Sequence, residues 1–190
     1  GRWQNIVKKI QEIYKIGPHS SILDIGCAKG FLLYDLLEII QGINVAGIDI
    51  SEYAINHAMD GYNKYIANHT IAKKETKCLE KIAKEKVLPH MIIGNAEKLP
   101  WGDNAFDVVL SINTIHNLPQ NGFKRAIKEM NRVCKPEGYK FLQVDAWKNE
   151  YEKKRMMQWA LTAETIMGDK EWLTFFKECE YDGDYSWTII

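Results

Sequence analysis

The sequence predicts an α/β fold with a mostly parallel sheet that helices cover on both faces. Short runs rich in β-branched residues and leucine alternate along the chain with longer segments of helical periodicity. The first two runs, residues 21–25 and 44–50, flank one helical segment, which is the pattern of a βαβ unit. Because such a unit places its two strands in parallel, the repeated alternation predicts the fold class.

The first half of the chain predicts three strands. Apolar residues recur at helical spacing from Trp3 to Tyr14, and the pair Gly17-Pro18 ends that helix. Ser51 is a suitable N-cap for a helix that follows the second strand. In order, we predict a helix over 3–14, a strand over 21–25, a helix over 31–40, a strand over 44–50, a helix over 51–60 and a strand over 90–93.

The second half continues the alternation. Pro136 and Gly138 predict a turn, and the helical spacing of Met156, Trp159 and Met167 predicts a long helix whose apolar face lies in the core. In order, we predict a strand over 105–112, a helix over 122–134, a turn at 136–138, a strand over 139–145, a helix over 150–167, a helix around Trp172 and a strand over 185–190.

Residues 61–86 are polar and rich in lysine. They predict a solvated helical insertion, with a lid or a partner-binding element as the functional alternative. No internal repeat or low-complexity linker divides the sequence. We therefore predict one domain over residues 1–190 that contains this insertion.

Charge and cysteine usage narrow the class of function. Among 190 residues, 25 Lys and Arg balance 25 Asp and Glu, so the chain lacks the basic surplus typical of proteins that bind polyanions. The four cysteines have no metal-ligand spacing, which predicts a reducing, cytoplasmic setting without zinc or disulfides. No apolar run reaches the length of a membrane span. We expect a small-molecule partner, with neither nucleic acid nor membrane, and the sequence leaves the oligomeric state open.

The segment ILDIGCAKG, residues 22–30, is the most informative one. A strand there ends in a glycine-bearing turn that opens a helix, and open α/β sheets bind ligands at this turn. Asp49 ends the second strand, where an acid accepts the hydroxyls of a ribose. Ala28 breaks the GxGxxG pattern, and Asp24 would place a negative charge near a pyrophosphate. The segment therefore favours a ligand with a cationic amino group over NAD.

Five segments, in the same order, resemble the motifs of class I S-adenosylmethionine-dependent methyltransferases, especially the small-molecule group. They are LDIGCAKG at 23–30, GIDIS at 47–51, GNAEKLPW at 94–101, FDVVLS at 106–111 with IHNL at 115–118, and RVCKPEGY at 132–139. Each alone is weak evidence, but the series covers most of the sequence. The resemblance implies a Rossmann-like three-layer sandwich of six to seven strands with an antiparallel C-terminal strand. It also implies an enzyme whose cofactor, S-adenosylmethionine, leaves as S-adenosylhomocysteine.

The resemblance also implies which residues of the first loop bind the cofactor. Gly26 and the backbone of Cys27, Ala28 and Gly30 would pass beneath the methionine part of the cofactor. Asp24 would help to anchor that part, directly or through water. Ala28 replaces a usual glycine and so adds a methyl group to the loop.

The remaining cofactor-binding residues follow the later strands. By the resemblance, Asp49 would hold the ribose, Ile50 would pack on adenine, Asn95 and Ala96 would meet the adenine edge, and Ser111 would line the floor near the sulfonium. Asn95 replaces a usual Asp, and its amide oxygen accepts a hydrogen bond without charge assistance. We therefore expect a modest affinity for the cofactor.

His116 is the candidate catalytic residue, because related enzymes often carry a His there that faces the methyl group. It would act as a general base if the acceptor must lose a proton, and the alternative is a structural His bonded to a backbone carbonyl. Asp145, which ends the fifth strand, would either touch the substrate or cap the following helix. Cys27 is expected to pack rather than to act as a nucleophile. No spacing indicates a metal site.

The expected function is methyl transfer to an oxygen or nitrogen of a small-molecule acceptor. Two alternatives stay open: a non-catalytic partner subunit that binds S-adenosylmethionine, and a nucleic-acid methyltransferase. The second is disfavoured because residues 111–114 read SINT rather than the Asn/Asp-Pro-Pro-Tyr that stacks a flipped base.

Overall fold

The protein is seen here as a computed structural model that describes residues 3–58 and 90–190. The insertion predicted at 61–86 lies outside these residues. The chain divides into two compact units, Gly1–Asn95 and Ala96–Ile190, and the single domain over 1–190 stays a prediction. Within the described residues, no helix combines the length and apolar character needed to cross a membrane.

The first unit is built on three parallel strands in the order β3-β2-β1. Register places Asp24 opposite Gly47 and Asp49 opposite Ile93. The elements are α1 (Gln4–Ile13), β1 (Ser21–Ile25), α2 (Phe31–Ile39), β2 (Asn44–Asp49), α3 (Glu52–Asn56) and β3 (Met91–Ile93). Each of these elements was predicted, with the same bounds for β1.

Helices bury the strands of the first unit. Ile22, Leu23 and Ile25 of β1 are at most 1% exposed, as expected for a parallel strand covered on both faces. The hydroxyl of Ser51 accepts the N–H of Ala54 at 3.1 Å, so the predicted N-cap of α3 is confirmed. The strands are thereby packed in the core, and their carboxyl ends position the loops that follow them.

The second unit is built around one long strand, β5, with which β4, β6 and β7 each pair in parallel. Its elements are β4 (Phe106–Ile112), a 3-10 turn (Ile115–Asn117), α4 (Gln120–Val133), β5 (Cys134–Trp147), α5 (Glu150–Trp159), β6 (Met167–Gly168), α6 (Asp169–Glu178) and β7 (Asp184–Thr188). With the first unit, the described chain contributes seven strands, within the predicted range.

The C-terminal strand is parallel to its neighbour, so the expected antiparallel strand is wrong. Pairing of β7 with β5 runs from Phe141 opposite Asp184 to Asp145 opposite Thr188. An antiparallel partner follows from a tight hairpin, whereas a parallel one needs a crossover of about a dozen or more residues. Helix α6 lies between β5 and β7 in the sequence and supplies that crossover.

The predicted turn at 136–138 is a bulge inside β5 rather than a break between two elements. On β4 the pairing moves from Phe106 to Val108, while on β5 it moves from Cys134 to Tyr139. A bulge takes the proline out of the hydrogen-bonded ladder, so the strand tolerates it. A Cβ on Gly138 would lie 2.8 Å from the carbonyl oxygen of residue 107, which explains the glycine.

The helix predicted over 150–167 ends at Trp159. Met156 is buried but Trp159 is 50% exposed, so only part of the predicted face lies in the core. Beyond the helix, Thr165 donates its backbone N–H to the carbonyl of His116 at 2.9 Å and its hydroxyl to the carbonyl of Leu118 at 2.7 Å. These bonds hold the chain against the 3-10 turn and replace the bonds of a continued helix.

An aromatic cluster forms the core between α4 and α6. Phe123 lies 5.3 Å, centroid to centroid, from both Trp172 and Phe175, and Trp172 is fully buried. The indole Nε1 of Trp172 donates to the carbonyl of Asp145 at 2.9 Å. This bond satisfies the indole in the core and fixes the carboxyl end of β5.

Candidate active site

The carboxyl ends of the three strands of the first unit meet at one edge. Gly26 and Cys27 donate their N–H groups to the carbonyl of Ile48 at 2.7 and 3.1 Å, and Gly94 donates to the carbonyl of Asp49 at 2.9 Å. This is the edge at which open α/β sheets bind ligands. It brings together the loop after β1, the acid that ends β2 and the segment after β3.

The loop after β1 has a left-handed backbone at every second residue. The φ angles are +85° at Gly26, +47° at Ala28 and +76° at Gly30. Glycine adopts this region freely, but an L-residue with a Cβ is strained there, so Ala28 holds this conformation at some cost. The alanine that stands here in place of the usual glycine therefore strains the backbone of the loop.

Asp49 ties the loop to β2. Its Oδ2 accepts the N–H of Ala28 and its Oδ1 accepts the N–H of Ser51, both at 2.8 Å. An ionised carboxylate offers about four acceptor positions, so two protein donors leave capacity for two more. That capacity fits the two hydroxyls of a ribose.

Asp24 is buried one strand away from Asp49. Burial, and then the negative charge of Asp49, raise the pKa of Asp24 to about 7. A positively charged group at this point would offset both effects. The two carboxylates of the first unit, Asp24 and Asp49, therefore fit a ligand that carries an amino group as well as a ribose.

Cys27 is a packing residue in this loop. A Cβ on Gly47 would lie 2.7 Å from its sulfur, so only a glycine in β2 leaves room for the buried thiol. Burial and the charges of Asp24 and Asp49 raise the pKa of Cys27, which keeps the thiol protonated. Gly47 is a position that sequence reasoning missed, although a glycine inside a strand is the usual signal of such an approach.

Ile50 lies next to Asp49 and is 72% exposed. An exposed isoleucine beside this carboxylate offers an apolar surface for a flat base. Asn95, the last residue of the first unit, is exposed after β3. Of the predicted cofactor residues, the first unit thus holds Asp24, Gly26, Cys27, Ala28, Gly30, Asp49, Ile50 and Asn95, whereas Ala96 and Ser111 belong to the second.

In the second unit, α4 fixes the segment that follows Ala96. Arg132 donates to the carbonyls of Leu99 and Trp101 at 3.1 and 2.8 Å, and Glu129 accepts the N–H of Leu99 at 2.6 Å. A hydrogen bond from Arg132 lowers the pKa of Glu129 and keeps it ionised. Sequence reasoning gave neither residue this role, although Arg132 begins a quoted motif, since their partners lie about thirty residues away in the chain.

His116 and Asp145 lie together in the second unit. Nε2 of His116 is 3.3 Å from Oδ2 of Asp145, and each side chain is 3% exposed. Asn149, whose side chain accepts the N–H of Glu152 at 2.9 Å, caps α5, so the expected capping role of Asp145 is wrong. The structure instead pairs the candidate base with a carboxylate.

Ser111 is fully buried on β4. Its hydroxyl oxygen finds no hydrogen-bond partner among the described residues. Its predicted place at the floor of the cofactor site stays a prediction.

Over residues 23–142, more than half of the chain, the sequence matches the methyltransferase domain family. The chain belongs to this family. Membership confirms the predicted class I S-adenosylmethionine-dependent methyltransferase family, with its Rossmann-like fold, its class of enzyme and its cofactor, S-adenosylmethionine.

Relatives of this methyltransferase domain include a demethylmenaquinone methyltransferase of Bacillus cereus, 31% identical over 133 residues that cover 69% of this chain and 47% of that protein. A fatty-acid O-methyltransferase of Mycolicibacterium smegmatis is 29% identical over 125 residues, which cover 66% and 36%. A SAM-dependent methyltransferase from Aquifex aeolicus shares the fold, with a TM-score of 0.59 at 21% identity over 94% of this chain and 81% of that one. The chain thus spans less than half the length of these two curated relatives.

Proposed function

We propose that the protein transfers a methyl group from S-adenosylmethionine to an oxygen or nitrogen of a small, largely apolar organic molecule. The observation that carries the proposal is the edge of the first unit. There Asp49 closes the glycine-bearing loop through Ala28, and Asp24 lies buried with a raised pKa. A ligand that has both a ribose and an amino group matches this pair of acids.

In this proposal each residue of the edge has one task. Asp49 accepts the ribose hydroxyls, Asp24 balances the amino group, and Ile50 packs against adenine. The backbone from Gly26 to Gly30 lies beneath the methionine part, while Asn95 and Ala96 meet the adenine edge. The cofactor supplies a methyl group on a sulfonium, and positioning accounts for much of the rate of such a displacement.

The choice of a small-molecule acceptor has two supports. Relatives named as demethylmenaquinone and fatty-acid methyltransferases act on small molecules. The zero net charge gives no general attraction to nucleic acid. We infer a reducing compartment, the cytoplasm, because the described cysteines, Cys27, Cys134 and Cys179, are buried free thiols.

We assign His116 as the base on the acceptor side. Its position after β4 agrees with the family resemblance, and a buried imidazole paired with a carboxylate is an arrangement suited to proton transfer. This pair also favours an enzyme over a non-catalytic subunit, which needs no base.

Calorimetric titration with S-adenosylhomocysteine, S-adenosylmethionine and NAD tests the cofactor. We expect roughly micromolar binding of the two adenosyl ligands and none of NAD. Methyl transfer from labelled cofactor is then measured with 2-naphthol, dodecanoic acid, dodecylamine and a DNA duplex. Equal binding of NAD would overturn the proposal, and transfer to the duplex alone would replace the small molecule with nucleic acid.

A further inference from the structure

We propose that the outer edge of β7 is a self-association surface, along which the β7 strands of two copies of this chain pair antiparallel about Ser186. The proposal concerns assembly and goes beyond the proposed function. It rests on an exposed strand edge, on residues that lack the usual protection of such an edge, and on a strand sequence that is complementary to itself.

Strand β7 lies at an open edge of the second unit. Among the described residues it pairs with β5 alone, so the backbone groups on its other side face no neighbouring strand. Asp184 and Tyr185 are exposed and the next three residues are half-buried, whereas Leu142 and Val144 of the partner strand are fully buried. A row of N–H and C=O groups along an exposed edge is a template for a further strand.

The adjoining edge of β5 is protected against pairing, and β7 lacks the same protection. Residues 134–140 of β5 precede the stretch that pairs with β7. They include Lys135, Pro136, Lys140 and the bulge, which are features that keep strand edges from pairing. The sequence of β7, DYSWT, contains neither lysine nor proline, and its register with β5 is uninterrupted. The edge of β7 is therefore regular and open to a partner strand.

The sequence of β7 suits pairing with a second copy of itself. In antiparallel pairing about Ser186, this serine faces its own counterpart, Asp184 faces the partner's Thr188, and Tyr185 faces the partner's Trp187. The acid then meets a hydroxyl group rather than a second acid, and two aromatic pairs form across the strands. Aromatic pairs directly opposite each other stabilise a sheet, whereas like charges in that position destabilise it.

The two aromatic residues of β7 lie on one face of the strand, because side chains two residues apart point the same way. The ring centroids of Tyr185 and Trp187 are 4.9 Å apart, and they lie 5.5 and 5.9 Å from that of Phe176 in α6. Tyr185 is nevertheless 44% exposed. Two-fold pairing would bring the aromatic pair of the second copy beside this one and cover apolar surface that a single chain leaves in water.

Hydrogen bonds hold β7 at both ends before any partner arrives. The hydroxyl of Tyr181 donates to the carbonyl of Asp184 at 2.7 Å. At the other end, the side-chain amide of Gln143 donates to the hydroxyl of Thr188, which in turn donates to the side-chain oxygen of Asn113, both at 2.8 Å. A strand that is already ordered loses little conformational entropy on binding, which favours pairing along a short edge.

Sedimentation velocity over a range of concentrations tests the proposal on the wild-type chain of 22.0 kDa. Specific interfaces bury about 1,200–2,000 Å², and a pair of short strands lies near or below the low end, so we expect a weak dimer with a Kd of about 10–100 µM. The chain should sediment as a monomer at about 2 µM and mainly as a dimer at about 500 µM. A monomer at every concentration, or species larger than a dimer, would overturn the inference.

Ser186→Lys is the sharpest variant, because a residue on the two-fold axis faces its own counterpart. Two like charges then meet directly, and we expect the Kd of the dimer to rise at least about tenfold. Gln158→Lys adds the same charge at an exposed position of α5 and should leave the Kd within about twofold. Dimers that Ser186→Lys leaves unchanged would show that the copies meet at another surface, which contradicts the proposal.

A mixture of Ser186→Lys and Ser186→Glu separates lost pairing from lost folding. Each variant alone repels its own copy, but in the mixture opposite charges face each other, so dimers should return with a Kd near the wild-type value. Misfolded variants would show no such recovery, and the urea unfolding transition of each variant checks its fold. A mixture of two folded variants that stays monomeric where the wild-type chain is dimeric would refute pairing about Ser186.

Discussion

Oδ2 of Asp49 accepts the backbone N–H of Ala28 at 2.8 Å, so one carboxylate both closes the glycine-bearing loop and ends β2. Asp49 is therefore placed by the same contact that shapes the surface beneath the proposed cofactor. Loop conformation and the proposed recognition of a ribose would depend on each other through this residue.

Replacing Asp49 tests that dependence. Asp49→Ala removes the proposed ribose acceptor and the partner of Ala28 together, and we expect S-adenosylhomocysteine to bind about 10- to 100-fold more weakly. Calorimetry measures the loss. Glu52→Gln removes an exposed carboxylate three residues further along and should keep the affinity within about twofold. An equal effect of both variants would mean that the charge alone matters.

The affinity for S-adenosylhomocysteine should rise with pH. Since the pKa of Asp24 is about 7, its carboxyl is mostly neutral at pH 6 and mostly ionised at about pH 7.5, where it attracts the amino group. We expect roughly a five- to tenfold gain between these two values. Methylthioadenosine, which has no amino acid part, should show no such gain. A parallel rise for both ligands would contradict the role of Asp24.

Stability should respond to Asp24 in the opposite direction. Its folded-state pKa of about 7 lies above its ordinary value of 3.8, so folding favours the protonated form and the stability it contributes is lost as pH rises through 7. Asp24→Asn should therefore melt several degrees above the wild-type protein at about pH 8, with a smaller difference at about pH 5. Calorimetric scans at the two pH values measure this. If Asp24→Asn were less stable than the wild-type protein at both pH values, the ionised carboxylate would support the fold.

Relieving the strain at Ala28 should stabilise the protein. Its φ of +47° costs an alanine about 1–2 kcal/mol, part of which the unfolded-state entropy of glycine offsets. We expect Ala28→Gly to gain about 0.5–1 kcal/mol, seen as a small rise in melting temperature. Ala54→Gly, in helix α3, should lower it. A loss of stability in Ala28→Gly would show that the methyl group makes contacts worth more than the strain.

Arg132 should contribute more to the stability of the fold than its partly exposed position suggests. Arg132→Lys cannot reproduce the fork that binds two backbone carbonyls, so we expect a loss of about 1–3 kcal/mol in urea unfolding. Arg125, which pairs with Glu97 at a more exposed position, is the matched control, and Arg125→Lys should change stability by less than about 0.5 kcal/mol. Equal losses of stability in the two variants would mean that the contacts with the carbonyls do not stabilise the fold.

Local patterns predicted most elements and the residues that lie at the carboxyl ends of the strands in the first unit. Strand β1 was predicted with the bounds it has, because its apolar run and the glycine that ends it are local signals. The direction of β7 was not, since it depends on the crossover through α6 rather than on the strand itself. Helix α5 ends early because Thr165 bonds to the 3-10 turn, a contact that periodicity does not reveal.

The sequence analysis named both His116 and Asp145 as candidates but did not predict that they pair. Each residue stood at the carboxyl end of a predicted strand, and adjacent parallel strands end at one edge. Their separation of 3.3 Å depends on the bulge in β5, which shifts the register by several residues, and on the bond from Trp172 that sets the strand end. Such long-range geometry is absent from a local pattern.

Each of the five strand pairings described is parallel, and this bears on how the chain folds. A hairpin nucleates across a two-residue turn, but none of these pairs can form before about a dozen or more residues have looped round. The entropy of that closure is lost before any ladder bond is gained, which slows the search for the native state. Because no tight turn connects the strands of these five pairs, we expect refolding on a scale of milliseconds to seconds rather than microseconds.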